Sequence, residues 1–385
     1  MSNFCNLHSH SEYSPLDGIS YVEDIVKRAK ELNYSAVAIT DHGEVGGHLD
    51  LEKYAKQYDI KPIYGIETYM CEDRFDRDKT KKRGTTTGHM VILAMNDKGL
   101  ENLWALSSLA HIEGKYYDPR IDWQLLEKYN EGLIVDGGCM GGWIGKDILT
   151  DPKTALLNAS KLQAIFGDRF YLELHTYQDP TQEKWNKASV DLAKRLSIPL
   201  IIVNDSHYAY PDDWYLHECL TAVQMGKNMN DPTRFHYGEN QLGMLSEVES
   251  RQRLSYLPND VVDEAIKNTG RIVDMCNASI PRQSGMPLFF DDKEIDADIL
   301  RRDIELGFNV RIKPHIAPDE VETYWKRIEY ETSVIIDHGF QGYFLIVQDI
   351  INWSKSHDIL VGPARGSVGG SLVARALGIT EIDPI

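Results

Sequence analysis

Seven times between residues 4 and 203 the sequence sets down a short apolar run and follows it with a charged stretch of helical spacing. Strands buried on both faces need helical crossovers, so this rhythm constrains the first half of the chain to a βα architecture. The runs lie at 4–7, 36–40, 62–67, 90–95, 133–136, 170–174 and 199–203, each reading as a buried parallel strand. Between the first two, Val22, Ile25, Val26 and Ala29 share one helical face, and Ser20 with Glu23 has the spacing of a capping box. The expected fold is α/β, a seven-stranded βα barrel or a doubly wound sheet. In either, chemistry gathers at the C-terminal ends of the strands.

Composition narrows the partners rather than the fold. With 41 basic and 59 acidic residues the formal charge is −18, and 42% hydrophobic with 26% charged residues is ordinary for a soluble globular chain. The acidic balance argues against wholesale electrostatic coating of DNA, because affinity for phosphate comes from Lys and Arg, but leaves room for a DNA enzyme with a local basic channel or bound metals. No run approaches the roughly 20 apolar residues that span a bilayer. Met1-Ser2-Asn3 opens neither a basic nor an apolar leader, so a cytoplasmic protein without a membrane partner is expected. The cysteines Cys5, Cys71, Cys139, Cys219 and Cys276 are odd in number, scattered and free of C-x-x-C pairs, which points to reduced thiols. Residues 73–83 turn from mixed charge to the basic Lys81, Lys82 and Arg83. They read as a solvated loop or as a contact to a phosphate backbone.

After about residue 285 the texture changes. Ser284-Gly285-Met286-Pro287 reads as a linker, dividing the chain into domains 1–285 and 286–385. The second is mostly helical, with Val321, Tyr324, Trp325, Ile328 and Ile335 on one stripe and Phe344, Val347, Ile351 and Trp353 on a later helix. A short strand at 359–361, a glycine-rich turn from Gly362 to Ser371 and an apolar helix follow. Asp296 and Asp298 read as a surface pair at a helix terminus. The cluster Phe340, Tyr343, Phe344 and Trp353 is expected to stay partly uncovered and to favour a complementary chain or self-association.

The strand ends carry side chains that bind metals. His8 and His10 come from the first run with Asp17 just beyond, Asp41 and His42 from the second and Glu67 from the third; His89 precedes the fourth, Cys139 follows the fifth, and Asp205 and His207 follow the seventh. Any one has a structural explanation: a buried His on a carbonyl, a capping Asp, a Cys filling core. Converging on one rim, they would repel or stay unsatisfied without cations, whereas divalent ions neutralise the carboxylates and use the imidazoles. At about four to six ligands per ion, nine candidates, taking only one of the Asp41–His42 pair, imply two or three metals, the arrangement that hydrolyses phosphate esters. Imidazole and carboxylate donors suit Zn, Mn or Fe. His89 is the misfit, since the start of a parallel strand lies at the opposite end from this rim.

At these residues the chain resembles a known family. His8-Ser9-His10, Thr40-Asp41-His42-Gly43, Glu67, His89, Gly138-Cys139 and Asn204-Asp205-Ser206-His207-Tyr208 are similar to the metal motifs of the PHP domain, named for polymerases and histidinol phosphatase. Tyr13-Ser14-Pro15-Leu16-Asp17-Gly18 and Gly342-Tyr343-Phe344-Leu345-Ile346-Val347-Gln348-Asp349 extend the likeness, from residue 4 to the last, to the N-terminal part of the C-family replicative DNA polymerases, the bacterial DNA polymerase III alpha subunits. The resemblance implies a seven-stranded βα barrel of PHP type, followed by a mostly helical, incomplete palm segment. It implies up to three metals held by His8, His10, Asp17, His42, Glu67, His89, Cys139, Asp205 and His207, a full set that in this family accompanies metal-dependent 3′ to 5′ exonuclease proofreading.

The turn from Gly362 to Ser371 resembles the family's palm motif that contacts the triphosphate of an incoming nucleotide, which implies Arg365, Gly366, Ser367, Gly370 and Ser371 as nucleotide-binding residues. Glycine-exposed N–H groups, hydroxyls and a guanidinium suit an anion, although Ala364 stands where the family usually has Gly. The carboxylates that bind Mg for polymerisation lie downstream of this motif in the family, so these residues alone are not expected to polymerise DNA. Implied partners are DNA, a deoxynucleoside triphosphate in the complete polymerase, and a complementary C-terminal chain or other replisome subunits. Two alternatives remain: a small-molecule phosphoesterase, for which a palm segment has no use, and a catalytically silent scaffold, which typically lacks ligands where none is missing here.

Overall fold

A computed structural model describes residues 4–78, 80, 86–281 and 286–385. The chain divides into two compact units, Met1–Pro281 and Arg282–Ile385. Of the linker expected between them, Ser284 and Gly285 lie outside the described residues.

The first unit holds one mixed seven-stranded sheet: β1 (Ala36–Ile39), β2 (Lys61–Cys71), β3 (Thr87–Ala94), β4 (Arg120–Ile121), β5 (Leu133–Asp136), β6 (Phe170–His175) and β7 (Leu200–Val203). The order is β1-β2-β3-β5-β6-β7, with β4 beside β2. The sheet curls until its edges meet across the start of the chain, where Thr40 N–H donates to the Ser9 carbonyl at 2.9 Å and His10 N–H to the Ser206 carbonyl at 2.7 Å.

Three expectations are corrected. The run at 4–7 is extended chain whose neighbourhood has one ladder bridge, Ser9 to Ser206. The Asn6 amide reaches the His8 carbonyl and its oxygen accepts Asn204 N–H, so a side chain takes the place of ladder bonds, and the two-residue β4 makes up the seventh strand. Second, β3 is antiparallel to both β2 and β5, a pairing that does not require a helical crossover. Third, Ser20 does not cap the helix Val22–Glu31: its hydroxyl accepts Ala209 N–H at 2.8 Å. The helix nevertheless buries Val22, Ile25, Val26 and Ala29 as its spacing requires. A true capping box forms at Ser246 and Glu249.

Alternation along the strands sets the site. Residues of one parity, such as Val37, Tyr64, Ile92 and Leu172, pack outward under the helices. The other parity, Ala36, Ala38, Ile63, Val91, Leu93, Ile134, Tyr171, Ile201 and Val203, fills the inside of the curl. At the bottom the helix Asn259–Met275 closes this inner core with Ile272 and Val273, and Cys276 just after it joins them; there Lys61, at the start of β2, donates to the Val273 carbonyl. Toward the rim the inward residues turn polar: Thr40, Glu67, His89, Asp136, Glu173 and His175 continue the same period-2 faces.

In the second unit the helices Lys293–Gly307, Val321–Asp337, Gln341–Ser356 and Leu372–Ala376 surround a core that includes Leu300, Ile304, Tyr324, Ile328, Ile335 and Leu372. No strand forms at 359–361, where Leu360 is fully exposed and has no sheet to join. Asp296 is buried rather than at the surface, because its carboxylate accepts Phe289 and Phe290 N–H at 2.8 and 3.0 Å; only Asp298 is exposed. Phe340, Tyr343 and Trp353 are exposed, while Phe344 packs at the edge of the core. Among the described residues no helix is long and apolar enough to cross a membrane.

Candidate metal centre

The antiparallel direction of β3 removes the misfit at His89. Its first residues lie at the same rim as the ends of β2 and β5, and the register sets His89 opposite Tyr69, two residues past Glu67. The loop after β5 fastens this corner, with His89 N–H donating to Gly141 O and Trp143 N–H to His89 O. Gly138 has φ of +69°, and a Cβ there would come within 2.7 Å of the His89 carbonyl, so this close approach needs glycine.

Glu67 is the hub. Its oxygens lie 3.2 Å from His8 Nε2, 2.6 Å from His42 Nδ1, 3.3 Å from His89 Nδ1 and 3.6 Å from His10 Nε2. Asp205, held at φ of +50°, brings Oδ1 within 3.4 Å of both His8 and His10 Nε2. Asp17 Oδ2 lies 2.6 Å from His42 Nε2 and 3.4 Å from His207 Nε2. Eight of the nine sequence candidates thus converge. Cys139 belongs to none of the close ligand groups among the described residues, yet burial and then the carboxylates of Asp205 and Glu67 push its thiol pKa up. Asp41 is engaged elsewhere, accepting from Ser11 N–H and from the Ser11 and Ser14 hydroxyls.

The test of whether cations fit is in the unsatisfied atoms. His8 Nε2, His10 Nε2, His42 Nδ1, both Glu67 oxygens and Asp205 Oδ1 are buried without a hydrogen bond of ordinary geometry, although nitrogens and oxygens among them approach to between 2.6 and 3.6 Å. Most buried polar atoms of folded proteins are paired; others left unpartnered here, such as Arg28 Nε, Ser189 Oγ and Thr380 Oγ1, are scattered, whereas these six meet at one place. Without cations the charge is balanced by imidazolium: burial lowers the His42 pKa, but Glu67 and Asp17 outweigh it and hold it well above the usual range. His207, against the same burial, is raised to about 9 by Asp17. Burial likewise opposes, and His89, His42 and His8 overcome, the ionisation of Glu67, whose pKa falls well below normal. Replacing these protons by divalent ions would satisfy the same atoms, so the donor set fits metal.

Sequence reasoning missed the layer beneath. Glu173 Oε1 lies 3.0 Å from His8 Nδ1 and its Oε2 2.6 Å from His175 Nε2. A proton on His8 Nδ1 then leaves Nε2 as a lone pair toward the centre, the carboxylate–histidine arrangement of metal sites. Burial and then Glu173 raise the Asp136 pKa, keeping that acid protonated beside Glu173. The i, i+2 spacing of Glu173 and His175 on a strand end is the signal already used for His8 and His10. His217 was also missed, because its helix, Trp214–Gln224, follows the last strand of the repeat.

A cavity of about 650 Å³ opens over the cluster, with Tyr13, Asp17, His42, Tyr69, Lys115 and Tyr237 in its wall. Of the basic loop, Arg74 pairs with Glu113 and Asp122, and Arg77 donates to the Arg74 and Glu113 carbonyls. Lys79, Lys81, Lys82 and Arg83 lie outside the described residues.

Residues 6–177 match the model of the PHP domain, and residues 298–385 that of the bacterial DNA polymerase III alpha NTPase domain. The DNA polymerase III subunit alpha of Aquifex aeolicus is 39% identical over 410 residues, covering 100% of this chain and 34% of that protein. That of Treponema pallidum is 38% identical over 392 residues, covering 100% and 32%. The chain belongs to the DNA polymerase III subunit alpha family. It spans about a third of the length of these curated relatives. A histidinol phosphate phosphatase structure from Lactococcus lactis, solved with zinc, L-histidinol and phosphate, is 13% identical with a TM-score of 0.30 over 58% of this chain and 92% of that one.

In this member of the polymerase III alpha family the glycine-rich turn is a short 3-10 segment, Gly366–Gly370, leading into the helix Leu372–Ala376. Arg365, Gly366, Ser367 and Gly370 are exposed. Gly366 has φ of +63° whereas Ala364 is not among the positive-φ residues, so the alanine sits without backbone strain. Ser371 is already engaged: its hydroxyl donates to Glu331 at 2.8 Å, and the same carboxylate accepts Leu372 and Val373 N–H.

Proposed function

We propose that the rim of the first unit is a site of two or three divalent metals that hydrolyses phosphodiester bonds at DNA 3′ ends, as the proofreading exonuclease of a replicative polymerase III alpha subunit. The observation that carries this reading is the set of six buried, unpartnered atoms on His8, His10, His42, Glu67 and Asp205. His8, His10, Glu67 and Asp205 would hold ions at the floor, Asp17, His42 and His207 at the outer wall, and His89 with Cys139 on the remaining side. Zn, Mn or Fe would supply Lewis acidity to activate water and to stabilise the leaving oxygen. Glu173 orients His8, Lys115 offers a cation to phosphate, and the rings of Tyr13, Tyr69 and Tyr237 offer stacking faces to a terminal base.

The test is a time course on 5′-labelled single-stranded DNA with Mn or Zn. Stepwise shortening from the 3′ end, abolished by EDTA and in Asp205→Ala and His207→Ala, is the expected result. Stoichiometric metal without DNA cleavage would overturn it, leaving a small-molecule phosphoesterase if histidinol phosphate is turned over and a scaffold if it is not.

For the second unit we propose that Arg365, Gly366, Ser367, Gly370 and Ser371 receive the triphosphate of an incoming nucleotide in a full-length polymerase, whose Mg ligands would come from later residues. The likeness to the NTPase domain model supports this. Tyr343, Ile350 and Trp353 form an exposed stripe on one helix, suited to cover by further polymerase segments or another replisome subunit.

A further inference from the structure

Outside the nine expected ligands, and besides His175 on Glu173, a second buried imidazole lies at the same centre. His217 is 1% exposed, and its Nε2 is buried with no hydrogen-bond partner. A ring nitrogen of His217, a nitrogen of His207 and a carboxylate oxygen of Asp17 all lie within 4.8 Å of one another. The imidazole is held rigidly: its ring centroid is 5.2 Å from that of His207, 5.6 Å from Tyr208 and 5.4 Å from Tyr237. A histidine recruited only for packing would have both nitrogens satisfied, as His48 has with Trp104 and Gly65. An imidazole walled by aromatic rings, with one nitrogen unpartnered and a carboxylate and a second histidine within 4.8 Å, has the surroundings of a ligand.

We infer that His217 is a ligand of the outermost cation of the rim, bound together with Asp17 and His207, so that the helix Trp214–Gln224 contributes to the metal site. The inference rests on the reading of the rim as a metal centre. Its surroundings differ from the floor of the site: Asp17 lines the open cavity while the floor ligands His8 and His10 are buried. A cation held there would lie nearer the cavity, and exchange with solution more readily, than one on the floor residues His8 and His10.

The test uses the full chain, stripped with a chelator and titrated with Co(II) and Zn(II). Metal content after dialysis and the Co(II) visible spectrum are read for the parent, His217→Phe, His217→Gln and Asp205→Ala. His217→Phe keeps an aromatic ring against Tyr208 and Tyr237 while removing both nitrogens; His217→Gln is the second variant should the first not fold. Expected is loss of about one metal per chain, or a tenfold or greater rise in the dissociation constant of the weakest site, with a changed Co(II) spectrum and the tighter sites unmoved. Asp205→Ala should instead weaken the tighter sites. Unchanged metal number, affinities within twofold and an unchanged spectrum in both His217 variants would overturn the assignment while leaving the rim reading intact. A parent chain that binds no metal would overturn both.

Discussion

The barrel rim and the glycine-rich turn of the second unit are both places where the sequence gathers groups for ligands, and they stand in opposite states. At the rim, six atoms of five residues are buried and unpartnered. At the turn, the groups that would greet an anion at Ser371, Leu372 and Val373 are bonded to Glu331. The difference follows from charge. Carboxylates and imidazoles crowded together satisfy one another poorly, whereas N–H and O–H donors beside a helix start accept any carboxylate within reach, including one from the same chain. On the proposed reading the rim is completed by bound metal, whereas the helix start after the turn is already closed by Glu331.

If so, divalent metal should stabilise one unit and not the other. At a concentration a thousandfold above its dissociation constant, each ion that binds only the folded rim adds about 4 kcal/mol. Hydrogen exchange resolves the units separately. Addition of Zn to chelator-treated protein should slow exchange in β2, β5 and β6 by up to about a thousandfold where opening requires metal release, leave the helix Val321–Asp337 unchanged, and have a much smaller effect in Asp205→Ala. Equal protection in both units would break the comparison.

How much of this was legible in the sequence depends on direction and distance. The apolar runs led to Glu67 and Asp205 because a strand end is a local property, whereas His8 and His10, expected at the end of a strand, reach the rim from extended chain. The same rule would have found Glu173 and His175, had the run at 170–174 been read as apolar on alternate residues instead of throughout. His89 required the direction of β3, for which the clue is the lack of any apolar helical period between Cys71 and Thr87. Ser20 had the spacing of a cap and serves Ala209 instead, a partner 189 residues away that no local pattern encodes. Glu331, 40 residues from the helix it caps, was out of reach for the same reason.

A buried histidine outside the rim sharpens the contrast. The Trp104 indole N–H donates to His48 Nδ1 at 3.2 Å, so the proton resides on Nε2, which donates to the Gly65 carbonyl at 2.9 Å. A second proton would have to face an N–H, and burial lowers the pKa to about 4. The folded state therefore keeps His48 neutral while the unfolded chain, with a pKa of about 6.5, takes up a proton. Stability is full above pH 6.5, falls as pH drops toward 4 and levels off below, a loss of about 3 kcal/mol across the window. Urea unfolding of parent and His48→Gln in chelator at pH 7 and pH 5 measures it, since the rim histidines contribute to both proteins. The parent should lose about 2 kcal/mol more than the variant over that step; equal losses would mean that His48 is not held neutral.

The smallest expected effect tests the closed state of the turn. Glu331 is only 11% exposed at its side chain and is also held by Arg327 Nε at 2.6 Å. Burial raises its pKa, but the Val373 N–H and the Ser371 hydroxyl outweigh this and hold it below the usual carboxylate range. A depressed folded pKa stabilises above the unfolded value of about 4.5, and that contribution is lost as pH falls through the folded one. Glu331→Gln keeps the size but gives up the charged bonds, and should cost the second unit about 1–2 kcal/mol at pH 7 and progressively less below pH 4. It should also leave the N–H groups of Leu372 and Val373 facing a neutral amide. If Glu331 occupies the place of a phosphate, this variant binds deoxynucleoside triphosphate more tightly than the parent in a fluorescence titration. If affinity is unchanged or weaker, the carboxylate is a plain helix cap and the triphosphate, where it binds, rests on Arg365, Gly366, Ser367 and Gly370.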